Sequence, residues 1–166
     1  MFTVDELEAL VRIGADFSGV DLSGDDYTGA NIPNANLGGS TLVGTIFAGA
    51  NMEGADLRSV VGTSADFTGT NLNRASMGLA LFNLADFTGA TMEEVNAVGV
   101  NFVFSVLSST FLYRMDLRFS DVRFANFALA DMRGVLLDVA DTRSANFALT
   151  IFGGHLPIDA LGWRTN

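Results

Sequence analysis

Residues 15–24 read ADFSGVDLSG and residues 65–72 read ADFTGTNL. Both follow one five-residue pattern: a small residue, a polar one, a large apolar one, then two more. The pattern runs outward from these stretches without a slip in register. Counting by fives from Phe17 gives 28 centres, the last of them Phe152. Twenty-four of the 28 are Leu, Phe, Met, Ile or Tyr; the exceptions are Gly62, Ala97, Val122 and Thr142. Two residues before the centre stands Ala, Ser, Thr or Val in 26 of the 28, the exceptions being Asp25 and Met115.

A period of five fits neither regular element. On an α-helix five residues advance about 500°, so successive large residues lie about 140° apart and form no stripe. In a flat strand side chains alternate with period two, so an odd period sends successive centres to opposite faces. The remaining solution puts a corner in every repeat. Three residues run extended, with the small and large side chains inward and the polar one between them outward. The next two residues turn the chain. With corners near a right angle, four repeats close a square coil of 20 residues. Coils then stack about 4.8 Å apart, like strands in a sheet.

Glycine supports the corners. Gly19, Gly24, Gly29, Gly39, Gly44, Gly49 and Gly54 all stand two residues after a centre. A type II turn needs positive φ at its third residue, which glycine adopts without a Cβ penalty. Further along, the same position holds Leu79, Leu84, Phe104, Phe119, Phe124 and Leu129. That composition predicts a turn without positive φ there, and so a change of corner type part-way along.

Every twentieth residue falls in one stacked column. Tyr27, Phe47, Phe67, Phe87, Leu107, Phe127 and Phe147 make an aromatic ladder inside one wall. Ile32, Met52, Leu72, Met92, Leu112, Met132 and Phe152 make another. Gly62 vacates its column beneath Phe82, and oversized Met115 is expected to lean into the space beside small Ala97. Before the repeats, residues 3–12 read as a short amphipathic helix. Thr3 and Glu6 have capping-box spacing, and Gly14 is a C′ stop. After Phe152 the pattern ends. Pro157 suits a helix N1 position, and Leu156, Ile158, Leu161 and Trp163 are expected to cover the last layer. The organisation is thus a capping helix over 1–14, a repeat region over 15–154 and a C-terminal cap or tail over 155–166.

Composition bounds the function. The chain of 166 residues carries a net charge of −10, with 19 acids against nine arginines, no lysine and no cysteine. An acidic chain is poorly suited to direct nucleic-acid binding, which needs cations for phosphates. Without cysteine there is no disulfide or thiolate metal site. The N-terminus lacks a basic, apolar leader, and no apolar run is long enough to span a bilayer, so a cytoplasmic location is the default expectation. Catalysis has little to build on. The single histidine is His155, and most aspartates take the outward position before a centre. Those aspartates read as wall residues bonding to turn amides, together with Asn31, Asn36, Asn51 and Asn71. No catalytic residue, cofactor or metal ligand set is expected.

The motifs ADFSGVDLSG, ADFTGTNL and ADFTGATM resemble the A-(D/N)-(L/F)-x-x signature of pentapeptide repeat proteins. The resemblance covers residues 15–152. It implies an all-β fold, a right-handed quadrilateral β-helix of about seven coils, here with a short N-terminal capping helix. It also implies a non-catalytic interaction or scaffold protein. Some members are DNA mimics that bind DNA gyrase and confer fluoroquinolone resistance, which supplies an alternative function. Plasmid-borne resistance members carry loops that interrupt the repeats, and this chain has none.

Two surfaces are candidates. The acidic one comprises Asp16, Asp56 and Asp116 on one wall with Asp26, Asp66 and Asp86 on the wall opposite, interleaved with arginines. The apolar one comprises Leu79, Leu81, Leu84, Phe104, Phe119 and Phe124, along two adjacent edges of one wall. Contiguous exposed apolar area marks a partner site. The partner is an unidentified protein or a second copy of this chain. The alternative is that these corner side chains tuck against one another.

Overall fold

The computed structural model describes residues 2–153. His155 and the tail from Leu156 to Trp163, expected to cover the last layer, lie outside the described residues.

The chain starts with helix α1, Val4–Arg12. The Thr3 side chain accepts the Glu6 N–H while the Glu6 carboxylate accepts the Thr3 N–H, so the capping box is complete. At the other end Gly14 has φ +79. Its N–H donates to Val11 and that of Ala15 to Leu10, which is a Schellman motif. Leu7 is fully buried, and Val4, Leu10 and Val11 pack against the same core. Phe2 meets Phe17 edge-on at 5.8 Å. Glu8 accepts the Asn31 N–H at 2.7 Å, which ties α1 to the first coil.

From Asp16 onward every fifth residue forms a parallel bridge to the residue 20 positions later, from Asp16–Asn36 to Asp131–Ile151. The bridging residues are the outward ones, and they define four walls. The first carries the column of Asp16, the second that of Asp21, the third that of Asp26 and the fourth that of Asn31. Inward residues fill the core, where Phe47, Phe67, Phe87 and Phe127 are fully buried. Rings of the aromatic ladder stack face to face, Phe67 on Phe87 at 4.9 Å and 2°. Where Gly62 vacates its column, Phe82 moves in. A Cβ on Gly62 would stand 2.5 Å from the Phe82 ring. Met115 and Ala97 are both fully buried, so the oversized side chain lies in the core and not in solvent.

At nearly every corner the centre's carbonyl accepts the N–H three residues on, as Val20 donates to Phe17 and Ala85 to Phe82. The expected change of corner type does not occur. Leu79, Leu84, Phe104, Phe119, Phe124 and Leu129 have φ between +60 and +63, like the glycine corners before them. The cause is a second hydrogen bond. The N–H of the left-handed residue donates to the corner carbonyl of the next coil: Gly24 to Val43, Leu84 to Val103, Phe104 to Arg123. A corner of another type would orphan that donor and the acceptor above it, which costs more than the roughly 1–2 kcal/mol of a left-handed side chain.

Candidate functional site

The outward residue of each repeat precedes a corner, and where it is Asp or Asn its side chain usually braces that corner. Asp16, Asp21, Asp26, Asp56, Asp66, Asp86, Asp116, Asp121, Asp131 and Asp141 each accept the N–H two residues on. Asn36, Asn51 and Asn71 do the same. Asn31 departs from the expectation. The residue two on is Pro33, which has no N–H, and the Asn31 side-chain Oδ1 instead accepts from the side-chain Nδ2 of Asn51 at 2.8 Å.

The acidic candidates divide into two kinds. Asp56 and Asp116 each hold the guanidinium of the residue two on, Arg58 and Arg118. Asp121, Asp131 and Asp141 hold Arg123, Arg133 and Arg143 in the same way. The arginine hydrogen bond is the largest influence holding these carboxyls below their ordinary range, and Asp141 falls to about 2. Among the described residues Asp16, Asp26, Asp66 and Asp86 have no arginine partner. Asp26 bonds both the hydroxyl and the N–H of Thr28, which lower its pKa. Asp16 takes the Ser18 N–H, its main cause of lowering, and the Asn36 amide. Asp66 and Asp86 pair as neighbours on the third wall, each taking a threonine N–H. On the first wall Asp56 and Asp116 are thus neutralised and Asp16 is not, whereas no acid of the third-wall row Asp26, Asp66 and Asp86 is neutralised by an arginine among the described residues. On the edge between the fourth and first walls, Glu53 pairs with Arg74 and Glu94 with Arg114.

The apolar candidates come together. Leu79 and Phe119 share the edge between the first and second walls, Leu84, Phe104 and Phe124 the edge between the second and third, and Leu81 lies on the wall between. All six are 43–68% exposed. Phe104 and Phe124 stack at 4.7 Å and 9°. Leu79 leans over Gly99, where a Cβ would meet its Cδ2 at 2.9 Å. So the corner side chains do pack along each edge, yet keep about half their surface in solvent. Val106 belongs to the adjoining third wall, where it bridges Asp86.

Some features escaped the sequence reading. Exposed Phe111, Leu136 and Ile151 take outward positions usually held by polar residues. A shallow groove of about 770 Å³ runs along the first wall past Asn36, Arg58 and Leu79, opened by the missing side chains of Gly38 and Gly78. In the core, Asp25 takes a position meant for a small residue. It is satisfied by the Tyr27 hydroxyl at 2.8 Å, and burial, then that bond, raises the Tyr27 phenol pKa. Among the described residues no group of His, Asp and Glu side chains is placed to hold a metal ion, and no helix is long and apolar enough to cross a membrane.

The family profile for pentapeptide repeats matches residues 28–61, 63–96 and 98–134, more than half of the chain. The protein belongs to the pentapeptide repeat family, whose members form right-handed quadrilateral β-helices. Its fold is shared with HetL, a pentapeptide repeat protein involved in heterocyst differentiation regulation from the cyanobacterium Nostoc sp. strain PCC 7120. The TM-score is 0.75 at 21% identity over 89% of this chain and 73% of HetL. A pentapeptide repeat protein of the Arabidopsis thaliana thylakoid lumen aligns at 24% identity over 87% of this chain and 89% of its own, with a TM-score of 0.28. QnrB1, a plasmid-mediated fluoroquinolone resistance protein, aligns at 17% identity over 82% of this chain and 86% of its own, with a TM-score of 0.27. Comparison with curated proteins finds no match.

Proposed function

We propose that this protein is a non-catalytic interaction protein, a rigid rod of about seven coils closed at its N-terminal end by α1, that meets its partner through the second wall. One observation carries the reading. Leu79, Leu84, Phe104, Phe119 and Phe124 stand about half exposed on hydrogen-bonded corners where the first coils have glycine, with Leu81 exposed on the wall between them. Each contributes about 1.5–3 kcal/mol when fully buried, and water leaves that gain unused. Charge also thins on this half. Residues 1–83 hold ten acids and three arginines, residues 84–166 nine and six.

The test compares corners with core. Phe104→Ser combined with Phe124→Ser is expected to keep the fold and abolish association. Phe102→Ala or Phe127→Ala, at fully buried centres, is expected to destabilise by about 3–5 kcal/mol. Should the corner double variant melt like the core variants, those side chains are internal packing and the reading fails.

The alternative, a DNA-mimicking modulator of gyrase, has less support. A phosphate mimic needs regular, unneutralised charge, whereas Asp56 and Asp116 are bound to arginines in their own turns. A supercoiling assay decides it. Inhibition that weakens with salt and with Asn at Asp26, Asp66 and Asp86 would favour mimicry; full supercoiling at high protein excess would exclude it.

A further inference from the structure

We infer that the occupant of the second wall is a second copy of this chain, lying antiparallel across a two-fold axis that passes through Asn101. This rests on the reading of the second wall as a contact surface and specifies what it contacts. Three observations lead to it.

The first is area. Six side chains of this size, about half exposed, present roughly 600 Å². That approaches the roughly 800 Å² each partner buries in a standard-size interface. The second is charge. The ionisable groups within the patch cancel locally, Asp121 with Arg123 and Asp141 with Arg143, and Arg123 lies 3.6 Å from Asp141 as well. A strongly basic or acidic partner finds no field to complement, whereas another neutral, flat, apolar-edged face does fit.

The third is register. Leu79, Leu81 and Leu84 occupy one coil, Gly99, Asn101 and Phe104 the next, and Phe119, Asp121 and Phe124 the one after. A two-fold axis across the wall at the middle coil lays each edge on the same edge of the second copy. Leu79 then faces Phe119, Leu84 faces Phe124, and Phe104 faces Phe104. Asn101 faces Asn101, and two primary amides can exchange hydrogen bonds. On the first edge the middle position is Gly99, which has no side chain of its own, and Leu79 leans over it. The antiparallel arrangement also points the acidic N-terminal halves away from each other. A parallel pairing would set them side by side.

The chain has no cysteine, so single introduced thiols report register directly. The experiment uses the full chain at tens of micromolar, with sedimentation to give mass and mild oxidation to trap contacts. A dimer is expected that tightens as salt rises, because screening relieves self-repulsion. Phe104→Ser with Phe124→Ser should weaken it about a hundredfold or more. Asn101→Cys should trap a disulfide dimer efficiently. Thr41→Cys, on the same wall three coils earlier, should not.

A monomer at these concentrations whose Phe104→Ser, Phe124→Ser variant melts like the parent overturns this inference while leaving the surface available to another protein. Equal trapping at Asn101 and Thr41 overturns it in favour of a parallel pair. A double variant that melts like the core variants overturns both this inference and the reading on which it rests.

Discussion

At the scale of single residues, two positions show how local rules were overridden at a measurable cost. Val139 is β-branched, exposed and held at φ +62. Its side chain gains little, so Val139→Gly is expected to stabilise by roughly 0.5–1 kcal/mol, left-handed strain relieved less the extra entropy of glycine. Denaturant midpoints test this; a loss of stability would mean that the Val139 side chain packs after all. Tyr27 and Asp25 make the opposite case. The aspartate sits where small residues belong and is tolerated because the buried phenol donates to it. Tyr27→Phe keeps the ring in the aromatic ladder and removes only that donor. The expected loss is about 1–3 kcal/mol, the desolvation penalty of an unsatisfied polar group.

At the scale of elements, helix α1 and the Asp-x-Arg corners carry distinct loads. Leu7 is the residue of α1 that is fully buried. Leu7→Ala is therefore expected to cost about 2–5 kcal/mol, whereas Thr3→Ala, which removes the cap, costs about 1 kcal/mol. A Leu7→Ala variant as stable as the parent would show that α1 contributes nothing to the core. The Asp-x-Arg corners impose a pH dependence. The Asp141 pKa is depressed from 3.8 to about 2 by the Arg143 hydrogen bond. A group depressed on folding stabilises above its unfolded value and loses that contribution as pH falls through its folded value. Stability should thus decline between about pH 4 and pH 2, with Asp56, Asp116, Asp121 and Asp131 shifted in the same direction. Asp141→Asn should flatten part of that decline in acid titrations followed by circular dichroism.

Across the whole molecule, each coil touches only its neighbours, and the shared unit is the 20-residue bridge spacing. This predicts how deletions behave. Removing residues 95–114 takes out one coil and lets the remaining columns rejoin in register, so a shorter rod with a cooperative melt is expected. Removing residues 95–99 keeps the five-residue pattern but rotates every later column by one wall. Phe127 and Phe147 would then leave the aromatic ladder, where they now stack at 5.2 Å. That variant should be much the less stable of the two. Equal melting temperatures would show that column identity, as opposed to the five-residue pattern, contributes little.

The sequence by itself determined which residues point inward and how they stack, because an odd period with small and large residues at fixed places has one geometric solution. The core ladder, the Gly62 vacancy under Phe82, the capping box at Thr3 and the apolar wall all followed from counting. The corners were decided only by the tertiary structure. Leu79, Phe104 and Phe124 have no local reason to adopt positive φ, and their composition argued against it. They adopt it because each corner N–H must meet a carbonyl that the next coil presents, a constraint from residues about twenty positions away. The state of the acids was likewise beyond a count of charges. Asp56 and Asp116 are neutralised because a corner returns the guanidinium two residues on to its own carboxylate. The sequence states the charges, but only the turn geometry states which of them cancel.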